Sequence, residues 1–133
     1  MQIPRSMRTK AGRLIKFGVV GASGAVLNTG VLYALYHLAG LPLLMASALA
    51  VELAVISNYL FNDRWTFAAP RPSCRVFAKF NAVSLVGIGL NVLAVWLLVR
   101  SGMFFLAANL VGILISFASN YAFSVAWVWR RVA

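Results

Sequence analysis

The longest stretch without a charged residue, in which His37 is the one exception among the basic types, sets the strongest limit on how this chain can fold. No Lys, Arg, Asp or Glu occurs between Lys16 and Glu52. A soluble domain of this size needs charge on most of its surface elements, whereas a helix that crosses a bilayer needs about 20 mostly apolar residues. Charged residues make up only 11% of the chain, and hydrophobic residues 62%. The sequence therefore predicts an integral membrane protein.

Four apolar segments are long enough to cross a bilayer as helices. Turn-forming residues separate the members of each pair, at 39–42 and at 100–102. A basic leader (residues 1–15) precedes the first segment, and a polar cytoplasmic linker (residues 62–79) lies between the pairs. We predict an all-α membrane protein, a single transmembrane domain over residues 1–133, with helices at about 16–37, 43–61, 80–99 and 104–127.

The two halves of the chain repeat each other. The stretch SNYLFNDRWTF at residues 57–67 returns as SNYAFSVAWVW at residues 119–129. Further matched positions in the first and second copies are Lys16 and Lys79, Phe17 and Phe80, Gly24 and Gly87, Asn28 and Asn91, and Gly40 and Gly102. The pattern indicates a duplicated two-helix hairpin. Because each copy crosses the membrane twice, both copies are expected to point the same way.

Basic residues crowd one end of the predicted helices. Apart from Arg100, every Lys and Arg lies in the leader, the linker or the C-terminal tail, or at their borders with the helices. The positive-inside rule then places both termini and the linker in the cytoplasm, in a multi-pass protein of the cytoplasmic (inner) membrane. A net charge of +10 would favour nucleic acid as a partner of a soluble protein. Here the charge is a topology signal, and no nucleic-acid partner is expected.

No arrangement of residues typical of an active site occurs in the sequence. The only acidic residues, Glu52 and Asp63, would lie about 16 Å apart along one helix, too far for paired catalytic carboxylates. Cys74 is the single cysteine, and His37 at a helix end fits a hydrated membrane interface better than a metal site. We therefore expect no catalysis, no cofactor and no bound metal.

Five of the polar residues inside the predicted helices are candidates for an intramembrane polar path: Glu52, Asn28, Asn91, Asn58 and Asn120. Glu52 would lie roughly 14 Å deep, near the midplane, where an ionisable side chain costs at least about 2.5 kcal/mol. One interpretation is a protonated glutamic acid and asparagines that hydrogen-bond between helices, at about 0.6 kcal/mol each. The other is a polar path that reaches halfway across the membrane. The second copy has Leu114 in place of Glu52.

A basic and aromatic cluster marks the predicted cytoplasmic helix ends. Its members are Arg64, Trp65, Lys16, Lys79, Trp127, Arg130 and Arg131. An aromatic belt with interfacial cations explains part of this pattern. Arg64, however, adjoins a tryptophan at the depth of lipid phosphates, and its planar guanidinium suits a phosphate. We predict a lipid-phosphate site, with the main contact in the first copy, because Ala126 replaces Arg64 in the second.

The segment VGASGAVLNTGVLYALY (residues 20–36) and the helix ending SNYLFNDRWTF together resemble the GtrA-like family, over residues 13–130. The most specific feature is Asn-x-x-x-Asn-x-Arg-Trp-x-Phe, matched by Asn58, Asn62, Arg64, Trp65 and Phe67. The chain departs from the family after Asn28-Thr29, where members often carry an acidic residue. Glu52 would have to take the place of that residue here.

The resemblance implies a role in cell-surface polysaccharide synthesis. The leading hypothesis is translocation (flipping) of a polyprenyl-phosphate-linked sugar across the membrane. The alternative is a non-transporting anchor or accessory subunit of a membrane glycosyltransferase. A small multidrug-type exporter is a third hypothesis, which the strong charge bias disfavours. Four helices are too few to enclose a path easily, so a homodimer is expected. The other expected partners are the lipid-linked sugar, membrane lipid and a glycosyltransferase.

Overall fold

The structure is a computed structural model that describes residues 5–133, with side chains from residue 8 onward. All regular elements in that part of the chain are helical: α1 (Arg5–Tyr33), α2 (Leu43–Phe61), α3 (Cys74–Arg100) and α4 (Phe105–Phe123). Short π-helical turns continue three of them: π1 (Ala34–Leu38) after α1, π2 (Asn62–Thr66) after α2 and π3 (Ser124–Val128) after α4.

In the part of the chain that the structure describes, four helical spans are long and apolar enough to cross a membrane: Arg8–Leu38, Leu43–Thr66, Cys74–Arg100 and Phe105–Val128. The surfaces of these spans are apolar, with Val26, Leu44 and Leu114 among the most exposed side chains. Exposed apolar area of this extent is a liability in water, but hydrocarbon chains cover it in a bilayer. The predicted all-α fold with four transmembrane helices is confirmed, and the orientation of the chain stays a prediction.

The helices begin earlier than predicted in two places. Helix α1 begins at Arg5 rather than at Lys16, and α3 begins at Cys74 rather than at Phe80. The apolar pattern marks where a helix enters hydrocarbon, but backbone hydrogen bonding continues into the polar flank because a helix is also stable at the interface. Residues that the sequence assigned to the leader and the linker are therefore partly helical. Helix α2 has the predicted bounds.

The chain divides into two compact units, hairpin 1 (Met1–Pro72) and hairpin 2 (Ser73–Ala133). Helices α1 and α2 pack together in hairpin 1, and α3 and α4 pack together in hairpin 2. In hairpin 1, helix α2 buries Ala46, Ala50 and Ala54. Residues four apart share one face of a helix, and alanine adds little bulk, so the two backbones approach closely.

Hairpin 2 repeats this packing with the residues of the second copy. Helix α4 buries Ala108 and Gly112, and helix α3 buries Phe80, Val83 and Gly87. The small residues again recur at a spacing of four, as expected for a helix pair in a membrane. The duplication seen in the sequence is therefore also a duplication of the helix–helix interface.

A glycine in the left-handed region ends the first helix of each hairpin. The φ angle is 71° at Gly40 and 97° at Gly102. This backbone allows the Leu41 N–H to donate to the Leu35 carbonyl at 3.0 Å, and the Met103 N–H to donate to the Leu98 carbonyl at 3.0 Å. An L-amino acid with a side chain would cost about 1–2 kcal/mol in this conformation. Glycine therefore suits both turns that reverse the chain.

Candidate functional site

The turn π2 brings the polar residues of the NDRWTF stretch to the end of hairpin 1. Its wider hydrogen bonding includes a bond from the Phe67 N–H to the Asn62 carbonyl at 2.8 Å. Asn62, Asp63 and Thr66 are buried, and the Thr66 hydroxyl donates to Asn62 Oδ1 at 2.8 Å. Arg64 and Trp65 are exposed on the same turn. The turn thus buries the side chains of Asn62, Asp63 and Thr66 and exposes those of Arg64 and Trp65. Turns of π-helix are frequent at functional sites.

Two cations of α1 lie over aromatic rings at this end. The Lys16 Nζ is 5.4 Å from the centre of the Trp65 ring, and the Arg13 Cζ is 5.5 Å from the centre of the Phe67 ring. Phe67 is buried and makes an edge contact with Phe17, with ring centres 6.3 Å apart. Cation–π contacts of this length contribute roughly 0.5–1 kcal/mol at exposed sites. These contacts hold the positive charges of Lys16 and Arg13 at the same end of hairpin 1 as Arg64.

Hairpin 2 has the same arrangement with fewer polar groups. The Lys79 Nζ is 5.2 Å from the centre of the Trp127 ring, and Phe80 contacts the buried Trp129 with ring centres 5.4 Å apart. The residues at the places of Arg13, Asp63 and Arg64 are Val76, Val125 and Ala126. We call this end of each hairpin its basic end: Lys16, Trp65 and Arg64 in hairpin 1, and Lys79, Trp127, Arg130 and Arg131 in hairpin 2.

The predicted phosphate-binding residues therefore lie in one group on each hairpin. Lys16 contacts Trp65, and Lys79 contacts Trp127. Arg64 is exposed beside Trp65, and Arg130 and Arg131 are exposed after π3. Because each group combines exposed cations with an aromatic ring at a helix end, it can attract an anionic head group at the membrane surface. Phosphate binding by these residues stays a prediction.

Asn58 and Asn120 lie in the helix–helix interfaces, each opposite a glycine. A Cβ atom placed on Gly24 would lie 2.7 Å from Cγ of Asn58, and one placed on Gly87 would lie 2.8 Å from Cγ of Asn120. Oδ1 is buried in both asparagines and has no hydrogen-bond partner. The glycine Cα–H groups face these oxygens, and weak Cα–H···O contacts are common between closely packed helices. We call each pair a Gly–Asn contact.

The other predicted intramembrane polar residues differ in their surroundings. Oδ1 of Asn28 is buried, whereas Asn91 lies close to Gly112, where an added Cβ would be 3.1 Å from its Nδ2. Glu52 is exposed on α2, and its position is about 240° around the helix from that of Asn58. Hairpin 1 thus presents Glu52 and Asn58 on different faces of one helix. A path lined by all five residues stays a prediction.

Ring contacts of a histidine and a cation–aromatic pair lie at the opposite ends of hairpin 1 and hairpin 2 respectively. The ring of His37 lies 4.9 Å from the ring of Tyr33 and 4.8 Å from that of Tyr36. The Arg100 Cζ lies 4.8 Å from the centre of the Trp96 ring. Residues 8–133 contain no group of three or more His, Cys, Asp or Glu side chains that could hold a metal ion.

Sequence reasoning missed two features of the site. Arg13 was treated only as part of a basic flank, although it lies one helical turn before Lys16 and so shares its face. The Gly–Asn contacts were missed because glycine and asparagine were considered separately. The glycine and the asparagine each occur at matched positions of the two copies. That both residues repeat together is the signal that could have revealed the contact.

Comparisons with known proteins support the sequence resemblance. The family described as GtrA/DPMS, transmembrane domain, matches residues 16–129. A dolichol-phosphate mannosyltransferase from Pyrococcus furiosus is 38% identical over 120 residues, which are 88% of this chain and 34% of that protein. The chain thus spans about a third of the length of this curated relative. The family match includes the lysine and the tryptophan at the basic end of each hairpin and ends before Arg130, and the chain belongs to the GtrA/DPMS transmembrane domain family.

Proposed function

We propose that this protein translocates a polyprenyl-phosphate-linked sugar across the cytoplasmic membrane for cell-surface polysaccharide synthesis. The observation that supports this most is the basic end of hairpin 1, where Lys16 lies over Trp65 and Arg64 is exposed beside it. Arg64 offers a phosphate a planar fork of donors, and Lys16 adds a point charge. In this proposal the chain moves the lipid and catalyses no reaction of its own.

The sugar has to cross the hydrocarbon region after its phosphate is bound. Glu52 is the group best placed to meet it, because its side chain lies on the surface of hairpin 1 in the middle of a membrane-spanning helix. Ionisable residues at such depth usually face a cavity or a protein partner. We further propose that two chains associate to enclose this route, and that both termini and the linker lie in the cytoplasm.

A second function is favoured by one specific observation. The relative named a dolichol-phosphate mannosyltransferase is about three times as long as the part that this chain matches. The chain would then be a membrane anchor or accessory subunit for a glycosyltransferase. Its basic ends would hold the lipid phosphate close to that enzyme, and no translocation would be required.

Cells with and without the gene distinguish the two functions. Loss of a translocase should leave synthesis of the lipid-linked sugar intact, so that this lipid accumulates in the inner leaflet while surface glycans lose the sugar. Loss of an accessory subunit should instead lower glycosyltransferase activity and the total amount of lipid-linked sugar. Lipid-linked and surface glycans would be measured together by mass spectrometry. No change in either pool would contradict both functions.

A further inference from the structure

The second hairpin keeps the lysine–tryptophan contact although it lacks Arg64. The distance from ammonium to ring centre is 5.2 Å for Lys79 and Trp127, against 5.4 Å for Lys16 and Trp65. Both tryptophans are 46% exposed, and both lysines are half-buried. The two residues of each contact lie on different helical elements, so adjacency in sequence does not cause it. The contact depends on the same alignment of helices in both hairpins.

The neighbours of this contact diverged between the copies, while the contact did not. Val76, Val125 and Ala126 in hairpin 2 stand where hairpin 1 has Arg13, Asp63 and Arg64. If the lysine only filled space, an apolar residue could replace it. Valine or alanine does replace the charged residue at the three neighbouring positions. The retained pair of a cation and an exposed indole ring therefore points to an anionic ligand at hairpin 2 as well.

We propose that each hairpin carries its own site for the phosphate of a polyprenyl-phosphate lipid, formed by Lys16 and Trp65 together with Arg64 in hairpin 1 and by Lys79 and Trp127 in hairpin 2. This inference rests on the proposed function and extends the phosphate site from one per chain to two. An ammonium has three donor hydrogens, so a lysine over an aromatic ring can still donate to phosphate oxygens. The indole ring holds that charge at the interface, where lipid phosphates lie.

Native mass spectrometry of the purified full chain can count these sites. The probe is a polyprenyl phosphate without sugar, titrated against the wild type, Lys16→Met, Lys79→Met and the double variant. Methionine keeps an unbranched side chain of similar length and removes the charge. Lys10→Met is the matched control, because Lys10 is an exposed lysine on the same helix as Lys16. Thermal unfolding of each variant is measured in parallel, since a purely structural role would alter stability and leave the number of bound lipids unchanged.

The wild type and Lys10→Met should bind two lipids per chain, each single variant one, and the double variant none. Affinity at the altered site should fall at least about tenfold. Binding of one lipid that only Lys16→Met removes would overturn the second site and leave the proposed function intact. Absence of binding to the wild type would contradict the proposed function itself. Two lipids on the double variant would refute the assignment of residues.

Competition identifies the source of the phosphate. Phosphatidylglycerol and inorganic phosphate are each added to the wild-type complex at the concentration of the probe. Retention of the probe supports sites for polyprenyl phosphate. Equal displacement by phosphatidylglycerol would show ordinary lipid sites, and displacement by inorganic phosphate would show sites for the free ion; either result contradicts the inference.

Discussion

The side chain that suits a phosphate best, that of Arg64, occurs only in the first copy. Arg64 is exposed beside Trp65, and its counterpart is Ala126. Arg64→Lys keeps the charge and removes the fork of donors, so topology should be retained while lipid binding and transport fall roughly tenfold. Arg71→Lys, at an exposed position in the linker, is the control. Equal activity of the two variants would reduce Arg64 to a topology signal.

Glu52 allows a second test at the level of one side chain. Because its side chain is exposed on α2, Glu52→Leu should leave hairpin 1 folded and the protein present in the membrane. Transport should nevertheless fall, and Glu52→Gln, which keeps some hydrogen bonding, should be less impaired. Leu114→Ala, at the matched position of hairpin 2, which is also exposed, serves as control. Normal transport by Glu52→Leu would show that the acid lies off the route of the sugar.

The number and approximate position of the helices could be predicted because hydrocarbon imposes one requirement on every residue in a span. The bounds of α2 were predicted on that basis, with apolar residues up to Phe61. The early start of α1 could not be predicted, because residues 5–15 form a helix outside the apolar run. The hydrophobic pattern indicates which residues lie in hydrocarbon. The ends of a helix are instead set by its backbone hydrogen bonds, which can continue beyond the hydrocarbon.

The candidate site was predictable only in part, for a related reason. Duplication paired Lys16 with Lys79 and Trp65 with Trp127, but it did not show that each lysine lies over a tryptophan. That contact depends on how far α2 continues through π2, and a change from α-helical to π-helical hydrogen bonding leaves no hydrophobic signature. Side-chain contacts across a helix pair therefore required the structure.

The Gly–Asn contacts predict how each helix pair tolerates added volume. Gly24→Ala should destabilise the protein by about 1–3 kcal/mol, because the new methyl group would overlap the Asn58 amide. Gly21→Ala is the control, since a Cβ there meets no atom within 4 Å. The same comparison in hairpin 2 uses Gly87→Ala and Gly89→Ala, and thermal unfolding in detergent measures all four.

Asn58→Ala in the background of Gly24→Ala should restore part of the lost stability, since the overlapping amide is then absent. If Gly24→Ala and Gly21→Ala have the same effect, the close contact between Gly24 and Asn58 does not hold the two helices together. That result would leave the alanine positions of α2 as the main basis of packing in hairpin 1.

For the whole molecule, the duplication and the charge bias predict that both hairpins insert with their basic ends in the cytoplasm. Cys74 reports this orientation directly, because it is the single cysteine, is exposed and lies within the linker, where α3 begins. A membrane-impermeant thiol reagent should label it only after cells are permeabilised. Labelling of intact cells from outside would reverse the orientation and, with it, the proposed direction of transport.

Transport by the purified chain in liposomes tests most directly whether it is a translocase. A fluorescent polyprenyl-phosphate-linked sugar is placed in both leaflets, and a membrane-impermeant quencher or glycosidase reports how fast the inner pool reaches the outside. We predict that the chain alone moves the lipid faster than protein-free liposomes do, and that Arg64→Lys slows this movement while Arg71→Lys does not. A folded chain that moves the lipid no faster than empty liposomes would contradict translocation.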